Sequence, residues 1–187
     1  FSIAQDIDTF KKNDSITMFG VDYSQTYFVG KEGFTNPYAI ESQFFNKWNN
    51  LFLMEQEKYS ISKALKKSAV YYSIEYITSV NDNVTTEEIK SRIVNSVYQK
   101  DLLSLEEAKK IAISYDLQTE NRFGILFFAT EYNKISDVGT YHAIIIDIKS
   151  KEIVQAITLS GATGGFGFRN FWATTFHNSL KDLKRKL

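Results

Sequence analysis

The chain has 187 residues, of which 43% are hydrophobic and 24% charged, as is usual for one globular domain. Lysine plus arginine and aspartate plus glutamate both total 22, so the chain lacks the basic excess typical of nucleic-acid-binding proteins. The absence of cysteine excludes disulfides, thiolate zinc sites and cysteine nucleophiles, and no apolar run reaches the ~18–20 residues of a transmembrane segment.

Residues 1–5 carry a pattern typical of the end of a signal peptide. Ser2 and Ala4 are small residues two positions apart, and Gln5 follows them, which is a spacing that signal peptidase recognises. "FSIAQ" resembles the end of signal peptides in the Bacteroidetes group, where a terminal Ala-Gln is common. We therefore expect an exported, periplasmic or envelope-associated protein, in which residues 1–5 are a signal-peptide remnant or disordered. Residues 6–187 are then a single α/β domain.

The first part of the chain predicts two strands with a helix between them. A β-rich run at 15–23 predicts the first strand. Asn36 can cap a helix and Pro37 suits its first position, so a helix is expected from there to about Met54. A second β-rich run, at 68–80, predicts the next strand.

Two helices are predicted before the third strand, because two capping boxes each precede a helical pattern. Thr85 pairs with Glu88 in the first box and Ser104 pairs with Glu107 in the second.

The last third predicts three strands and a final helix. Continuous apolar runs at 122–132 and 140–148 suit strands covered on both faces, and 153–160 completes a hairpin. An apolar stripe then runs from Phe168 to Leu187 at helical spacing. The predicted order is β-α-β-α-α-β-β-β-α, an α/β (α+β) fold in which helices pack on a mixed sheet of about five strands.

The glycine-rich stretch "GATGGFGFRNFW", residues 161–172, fits neither common nucleotide loop. A phosphate loop needs a lysine after its last glycine, and a dinucleotide loop needs glycine where Asn170 stands. A sharp corner between strand and helix is one interpretation, and anion binding at the helix N-terminus is the other. For the second interpretation the candidate ligand-binding residues are Gly164, Gly165, Gly167 and Arg169.

Aromatic residues outside any periodic element are further candidates for binding. Tyr23 and Tyr27, with Phe28 and Phe34 nearby, lie in or beside a connecting segment, and we expect some of them to be exposed. Large aromatic surfaces bind sugars, peptides or other chains, so Tyr23 and Tyr27 join the candidate ligand-binding residues.

The sequence predicts no catalytic residue, metal site or cofactor. His142 and Asp147 are five residues apart on one strand and so face opposite ways, which separates them in any Ser-His-Asp relay. The sequence contains neither H-E-x-x-H nor an EF-hand loop. Paired carboxylates at strand ends keep a small hydrolase open as an alternative; the acids concerned are Asp22, Glu75, Glu131 and Asp147.

The segment Tyr141–Ile157, "YHAIIIDIKSKEIVQAI", resembles a strand-turn-strand "D-x-K-[ST]-G-E" hairpin of exported envelope lipoprotein domains, with Lys151 in place of the glycine. Relatives of the curli-transport lipoprotein and of the N-terminal domain of the Tol translocation protein carry this hairpin. The resemblance implies a non-enzymatic binding or assembly component. We therefore expect a non-catalytic envelope protein that binds a protein or surface polymer, with the hydrolase or a soluble cytoplasmic regulator as alternatives.

Overall fold

The computed structural model describes residues 3–187, with side chains from residue 7 onward. Phe1 and Ser2, part of the predicted signal-peptide remnant, lie outside the described residues, and residues 3–5 begin the first helix. The strands are β1 (Ser15–Asp22), β2 (Tyr27–Val29), β3 (Ala69–Tyr72), β4 (Ile93–Val94), β5 (Phe123–Asn133), β6 (Val138–Asp147) and β7 (Glu152–Ala162). The helices are α1 (Ile3–Lys12), α2 (Pro37–Ala39), α3 (Phe45–Met54), α4 (Ile61–Leu65), α5 (Glu75–Asp82), α6 (Thr86–Arg92), α7 (Leu105–Ser114) and α8 (Phe168–Lys186).

One mixed sheet of seven strands organises the described residues, with β5 at its centre. On one side β5 pairs antiparallel with β6, and β6 with β7. On the other side β1 pairs in parallel with the first half of β5, and β2 pairs with its second half. Since β3 lies outside β1 and β4 outside β2, the sheet is five strands wide. The predicted α/β fold with a mixed sheet is confirmed.

The two predicted capping boxes and the predicted helix start at Pro37 are confirmed. The Thr85 N–H donates to Glu88 Oε2 at 2.7 Å, and the Ser104 N–H donates to Glu107 Oε2 at 2.9 Å. The Asn36 side chain caps α2, which continues through a π-helical turn, Ile40–Phe44, into α3.

The predicted strand at 68–80 is wrong in its second half. The strand ends at Tyr72, and α5 begins at Glu75. Tertiary packing overrides the β-propensity of this segment, because the helix buries Ile77 against Phe19 and the second face of the sheet. The sequence patterns also missed α1 and the two short strands β2 and β4.

The two faces of the sheet are covered by different helices. Helices α1, α3, α4 and α8 contribute to a large aromatic core on one face, while α5 and α7 pack in a smaller core on the other. Among the described residues, no helix combines the length and apolar character needed to cross a membrane.

Helix α8 lies along β7 and touches both its face and its outer edge. Gly161 allows the close approach, since a Cβ there would lie 2.0 Å from the Thr175 carbonyl oxygen. Polar side chains of α8 then bind the outer backbone groups of the strand: Asn178 Nδ2 donates to Ala162 O at 2.9 Å, Asp182 Oδ2 accepts from Ser160 N at 3.2 Å, and Lys186 Nζ donates to Thr158 O at 2.8 Å.

Candidate functional site

The glycine-rich stretch forms the corner between β7 and α8. Gly167 is the N-cap of α8 and adopts φ 79° and ψ 152°, a region that only glycine enters without strain. Gly165 has φ 82°. Among the described residues no side chain caps α8. The positive φ angles of Gly165 and Gly167 turn the chain at this point, as the conformational interpretation of the stretch predicts.

A hydrogen bond from α3 fixes the first turn of α8. Trp48 Nε1 donates to the carbonyl oxygen of Arg169 at 2.9 Å. Trp48 is fully buried, whereas the Arg169 side chain is exposed. The corner is therefore anchored from inside while its outer side chains remain accessible.

Three loops meet beside this corner. The β5–β6 turn joins the glycine stretch, because Thr163 N donates to Asp137 O at 2.9 Å. The same turn places Lys134 Nζ 4.4 Å from the centre of the Phe171 ring. It also touches the 30–36 loop, where a Cβ on Gly30 would lie 3.3 Å from Ile135 Cγ1.

An apolar pocket of about 290 Å³ opens between the 30–36 loop and the start of α8. Its aromatic walls are Phe34, Phe44 and Phe168, and the Phe44 and Phe168 ring centres lie 4.7 Å apart. Two residues near these walls in the chain are exposed: Phe166, two residues before Phe168, at 96%, and Tyr38, next to the lining residue Ala39, at 64%. We call this surface the aromatic corner; it consists of Phe34, Tyr38, Phe44, Ile135, Phe166 and Phe168.

The structure brings only part of the predicted binding set together. Gly164, Gly165 and Gly167 lie in the turn before α8 and Arg169 in its first turn, close in sequence to Phe168, but they are not among the residues that line the pocket. Tyr23 does not have the expected exposure: it is fully buried behind the corner and stacks on Phe45 with ring centres 4.9 Å apart.

Tyr27 lies apart from the corner. It is half-buried on β2, and successive strand residues face opposite ways, so its side chain points away from the core that holds Phe28. Phe28 and Phe34 are both buried. The connecting segment thus supplies core rings rather than a surface. The sequence did not predict this, because β2 is too short to show periodicity.

A chain of buried hydroxyl groups stiffens the core behind the corner. Tyr132 OH and Tyr141 OH are 2.8 Å apart, and Tyr141 OH is 2.6 Å from Thr175 Oγ1. Burial raises the pKa of both tyrosines well above the usual value. They stay neutral at physiological pH, and their hydrogen bonds link β5, β6 and α8.

Neither histidine contacts a carboxylate among the side chains that the structure describes. His142 Nε2 lies 2.8 Å from Leu103 O, and its Nδ1 lies 2.9 Å from Thr158 Oγ1. Burial lowers the pKa of His142, although the hydrogen bond to Leu103 opposes this effect. His177 Nδ1 lies 2.6 Å from Lys58 O. Both imidazoles are therefore held by backbone or hydroxyl groups.

The strand-end acids make separate contacts. Tyr115 OH donates to Asp22 Oδ2 at 2.6 Å, and Arg122 Nε donates to Asp147 Oδ2 at 2.6 Å. Glu131 accepts from Asn133, and Glu75 from Ser73. Within the described chain, no three His, Asp or Glu side chains cluster as a metal site would require.

The sequence missed the pocket itself. Its walls come from a loop, a π-helical turn and the start of α8, so no local spacing connects them. The sequence contained one signal of this surface: four aromatic residues lie within the seven positions 166–172. Not all of them can face the core from one helix stripe, so an exposed ring could have been expected.

No protein-family model and no curated protein matches the chain. Solved structures similar to it include the following three. The LpoB C-terminal domain from Salmonella enterica is 8% identical, with a TM-score of 0.35, over 86% of this chain and 96% of that one. Lipoprotein GNA1162 from Neisseria meningitidis is 12% identical, with a TM-score of 0.29, over 81% and 82%. A neuraminyllactose-binding hemagglutinin homologue from Helicobacter pylori is 11% identical, with a TM-score of 0.37, over 95% and 84%.

The chain thus resembles envelope lipoprotein domains weakly in structure, as it does in the hairpin Tyr141–Ile157. TM-scores below 0.5 carry no function from these proteins to this one.

Proposed function

We propose that the chain is a non-catalytic, exported protein of the cell envelope that binds a partner protein at the aromatic corner. The observation that carries this proposal is the exposure of Phe166, at 96%, two residues before Phe168, which lines a pocket together with Phe34 and Phe44. A large apolar side chain held in water is costly, and contiguous apolar surface next to a pocket is typical of interaction sites.

The size and chemistry of the pocket favour an inserted protein side chain. At about 290 Å³ it lies at the lower limit of small-molecule sites. Interface hot spots consist of aromatic and arginine residues around a desolvated pocket, and here Phe166 and Arg169 lie within two residues of the pocket-lining Phe168. A surface polymer would instead bind through polar contacts around flat rings, and the pocket walls are mainly apolar.

Rigid support strengthens the proposal, since binding is tighter when a site is already ordered. The Trp48–Arg169 hydrogen bond fixes the first turn of α8.

The pattern Ser2-Ile3-Ala4-Gln5 supports export, and the hairpin Tyr141–Ile157 supports an envelope context.

The proposal can be tested by photo-crosslinking in cells. A photoreactive phenylalanine analogue replaces Phe166 in one strain and Tyr98, which is 73% exposed on another part of the surface, in a control strain. We expect one defined protein adduct in the envelope fraction, formed only from position 166. Phe168→Ala should abolish the adduct, because it removes a wall of the pocket.

Three results would contradict the proposal. Equal adducts from positions 166 and 98 would indicate unspecific contact, and a protein confined to the cytoplasmic fraction would overturn the envelope assignment. Binding of the purified protein to envelope polysaccharide, lost in Phe166→Ala, would replace the protein partner with a polymer.

A further inference from the structure

A cluster of exposed lysines surrounds two adjoining pockets at the C-terminal end of α8. The first pocket, about 270 Å³, has Lys11, Lys66 and Lys184 around it. The second, about 250 Å³, has Lys58, Lys63, Lys181 and again Lys184. We call these six residues the lysine patch; they are Lys11, Lys58, Lys63, Lys66, Lys181 and Lys184.

The fold, rather than the sequence, gathers these charges. They come from α1, α4 and its C-cap, α8 and the turn before α4, while the whole chain has no net charge. Lys67, which is buried, ties the end of α1 beside α4 by donating to the carbonyl oxygens of Phe10 and Asn13. Lys11 is thereby held next to Lys66.

Most of the patch is not neutralised by the protein. Among the described residues, Lys58 has Glu55 at 3.8 Å, and Lys181 donates to the neutral Asn178 side chain. The other four lysines have no carboxylate partner within that part of the chain. One acid, Glu57, stands at the second pocket. Elsewhere, Lys90 and Lys109 are paired with Glu87 and Glu106.

The floors of the two pockets are apolar. Phe10, Leu65 and Leu187 line the first, and Ala64 and Leu180 line the second. The lysine stems can lie along this surface while their ammonium groups stay in water. The patch therefore combines mobile positive charge with shallow apolar depressions.

We propose that the lysine patch binds the surface of a bilayer that contains anionic phospholipids. Lysines near such a surface are attracted by its negative potential, and their contributions accumulate. The apolar floors fit the region just beneath the phosphate groups. This interaction is separate from partner binding at the aromatic corner.

A bilayer fits the patch better than one bound phosphate or one acidic peptide does. Specific phosphate and carboxylate sites use the rigid fork of arginine or converging backbone donors. The patch is made of lysines on flexible stems, spread over two pockets. Such an array suits many mobile head groups rather than one fixed anion.

Vesicle sedimentation tests the proposal with phosphatidylcholine vesicles made with and without phosphatidylglycerol. We expect the protein to bind only the anionic vesicles and to release them at high salt, which screens exposed charges. The variant Lys63→Gln, Lys66→Gln, Lys184→Gln should bind roughly 100-fold more weakly, about fivefold for each lysine. Circular dichroism checks its fold, which should persist because all three side chains are exposed.

The matched control carries Lys90→Gln, Lys100→Gln and Lys109→Gln, which lower the net charge by the same amount on another surface. It should bind almost as well as the wild type. Equal losses in both variants, or no binding of the wild type at low salt, would overturn the proposal. Equally tight binding of soluble polyglutamate through the same lysines would assign the patch to an acidic polypeptide instead.

Discussion

The backbone N–H of Ser160 donates a hydrogen bond to Asp182 Oδ2, 3.2 Å away, and this contact helps to cover the outer edge of β7 in its second half. Asn178 and Lys186 make the neighbouring contacts, to Ala162 and Thr158. Four helical residues rise about 6 Å, and two strand residues rise about 6.8 Å. Because the two spacings are similar, every fourth residue of α8 contacts every second residue of β7. The helix and the strand run in opposite directions, so residue numbers rise along α8 as they fall along β7.

The first prediction concerns the part of the β7 edge that the side chains of α8 cover. Exposed strand edges pair with other chains unless they are covered. The variant Asn178→Ala, Asp182→Ala, Lys186→Ala should therefore self-associate, and Asp182→Ala alone should lower the free energy of unfolding by about 1–3 kcal/mol. Analytical ultracentrifugation and urea denaturation measure the two effects. Lys184→Ala on the same helix is the control, and equal self-association there would refute the role of the edge.

The second prediction is the pH dependence of the Asp182 contribution. Burial acts to raise the pKa of Asp182, but hydrogen bonds from Lys186, Ser160 and Arg185 outweigh it and the pKa lies below the usual value. Because the pKa of Asp182 is lower in the folded state, its carboxylate stabilises the protein at pH values above the unfolded-state pKa of about 3.9. The difference in unfolding free energy between wild type and Asp182→Asn should stay constant at neutral pH and shrink as pH falls below about 4. A difference that grows on acidification would contradict this assignment.

The third prediction concerns Trp172, the central ring of α8. It is 1% exposed and stacks on Tyr132 and Phe34, with ring centres 4.8 and 5.0 Å away. Trp172→Ala should lower the free energy of unfolding by ~3–5 kcal/mol. Phe166→Ala, at a ring that is 96% exposed, should change it by less than about 0.5 kcal/mol. A loss below ~1 kcal/mol for Trp172→Ala in chemical denaturation would mean that the helix does not bury its stripe.

The fourth prediction separates the roles of two glycines. Gly161→Ala would place its Cβ 2.0 Å from the Thr175 carbonyl oxygen, a backbone group that cannot move aside. We expect a loss of about 3 kcal/mol in the free energy of unfolding. At Gly164 the nearest atom is Thr174 Cγ2 at 3.1 Å, so Gly164→Ala should cost less than about 1 kcal/mol. Thermal denaturation of both variants decides between this account and one in which the whole stretch is merely flexible.

The fifth prediction concerns the buried carboxyl group of Asp22. Burial raises its pKa, and the hydrogen bonds from Tyr115 and Ser24 partly oppose that effect. Tyr115→Phe removes one donor from the ionised form, so the pKa of Asp22 should rise further. Titration of the Asp22 carboxyl carbon by NMR measures the change. Tyr76→Phe, whose ring is 5.2 Å from Tyr115, is the control, and an unchanged Asp22 pKa in Tyr115→Phe would show that this hydrogen bond is weak.

The elements with clear local signals could be predicted from the sequence. Both capping boxes, the helix start at Asn36-Pro37, the antiparallel strands β5 to β7 and the amphipathic α8 each carry such a signal. Helix α5 could not be predicted, because β-branched and aromatic residues dominate 68–80 and tertiary contacts with the second face of the sheet stabilise the helix instead. Strands β2 and β4 have too few residues to show alternation.

The candidate surfaces were less predictable than the fold. The glycine corner could be predicted because glycine density itself signals an unusual backbone. The pocket could not, since Phe34, Phe44 and Phe168 meet only after α3 and α8 pack together. The lysine patch is similar: Lys11, Lys66 and Lys184 are scattered along a neutral chain, and the sequence suggested only a favourable helix end near Lys184.

The length of helix α8 determines the distance between the aromatic corner and the lysine patch. Its 19 residues span about 28 Å at 1.5 Å each, with the aromatic corner at one end and the lysine patch at the other. Packing against β7 holds the helix on the sheet, so its two ends stay apart. A protein bound at Phe166 would therefore lie away from a membrane that contacts Lys184. The chain could bind both at once, and the length of α8 would set the distance between them.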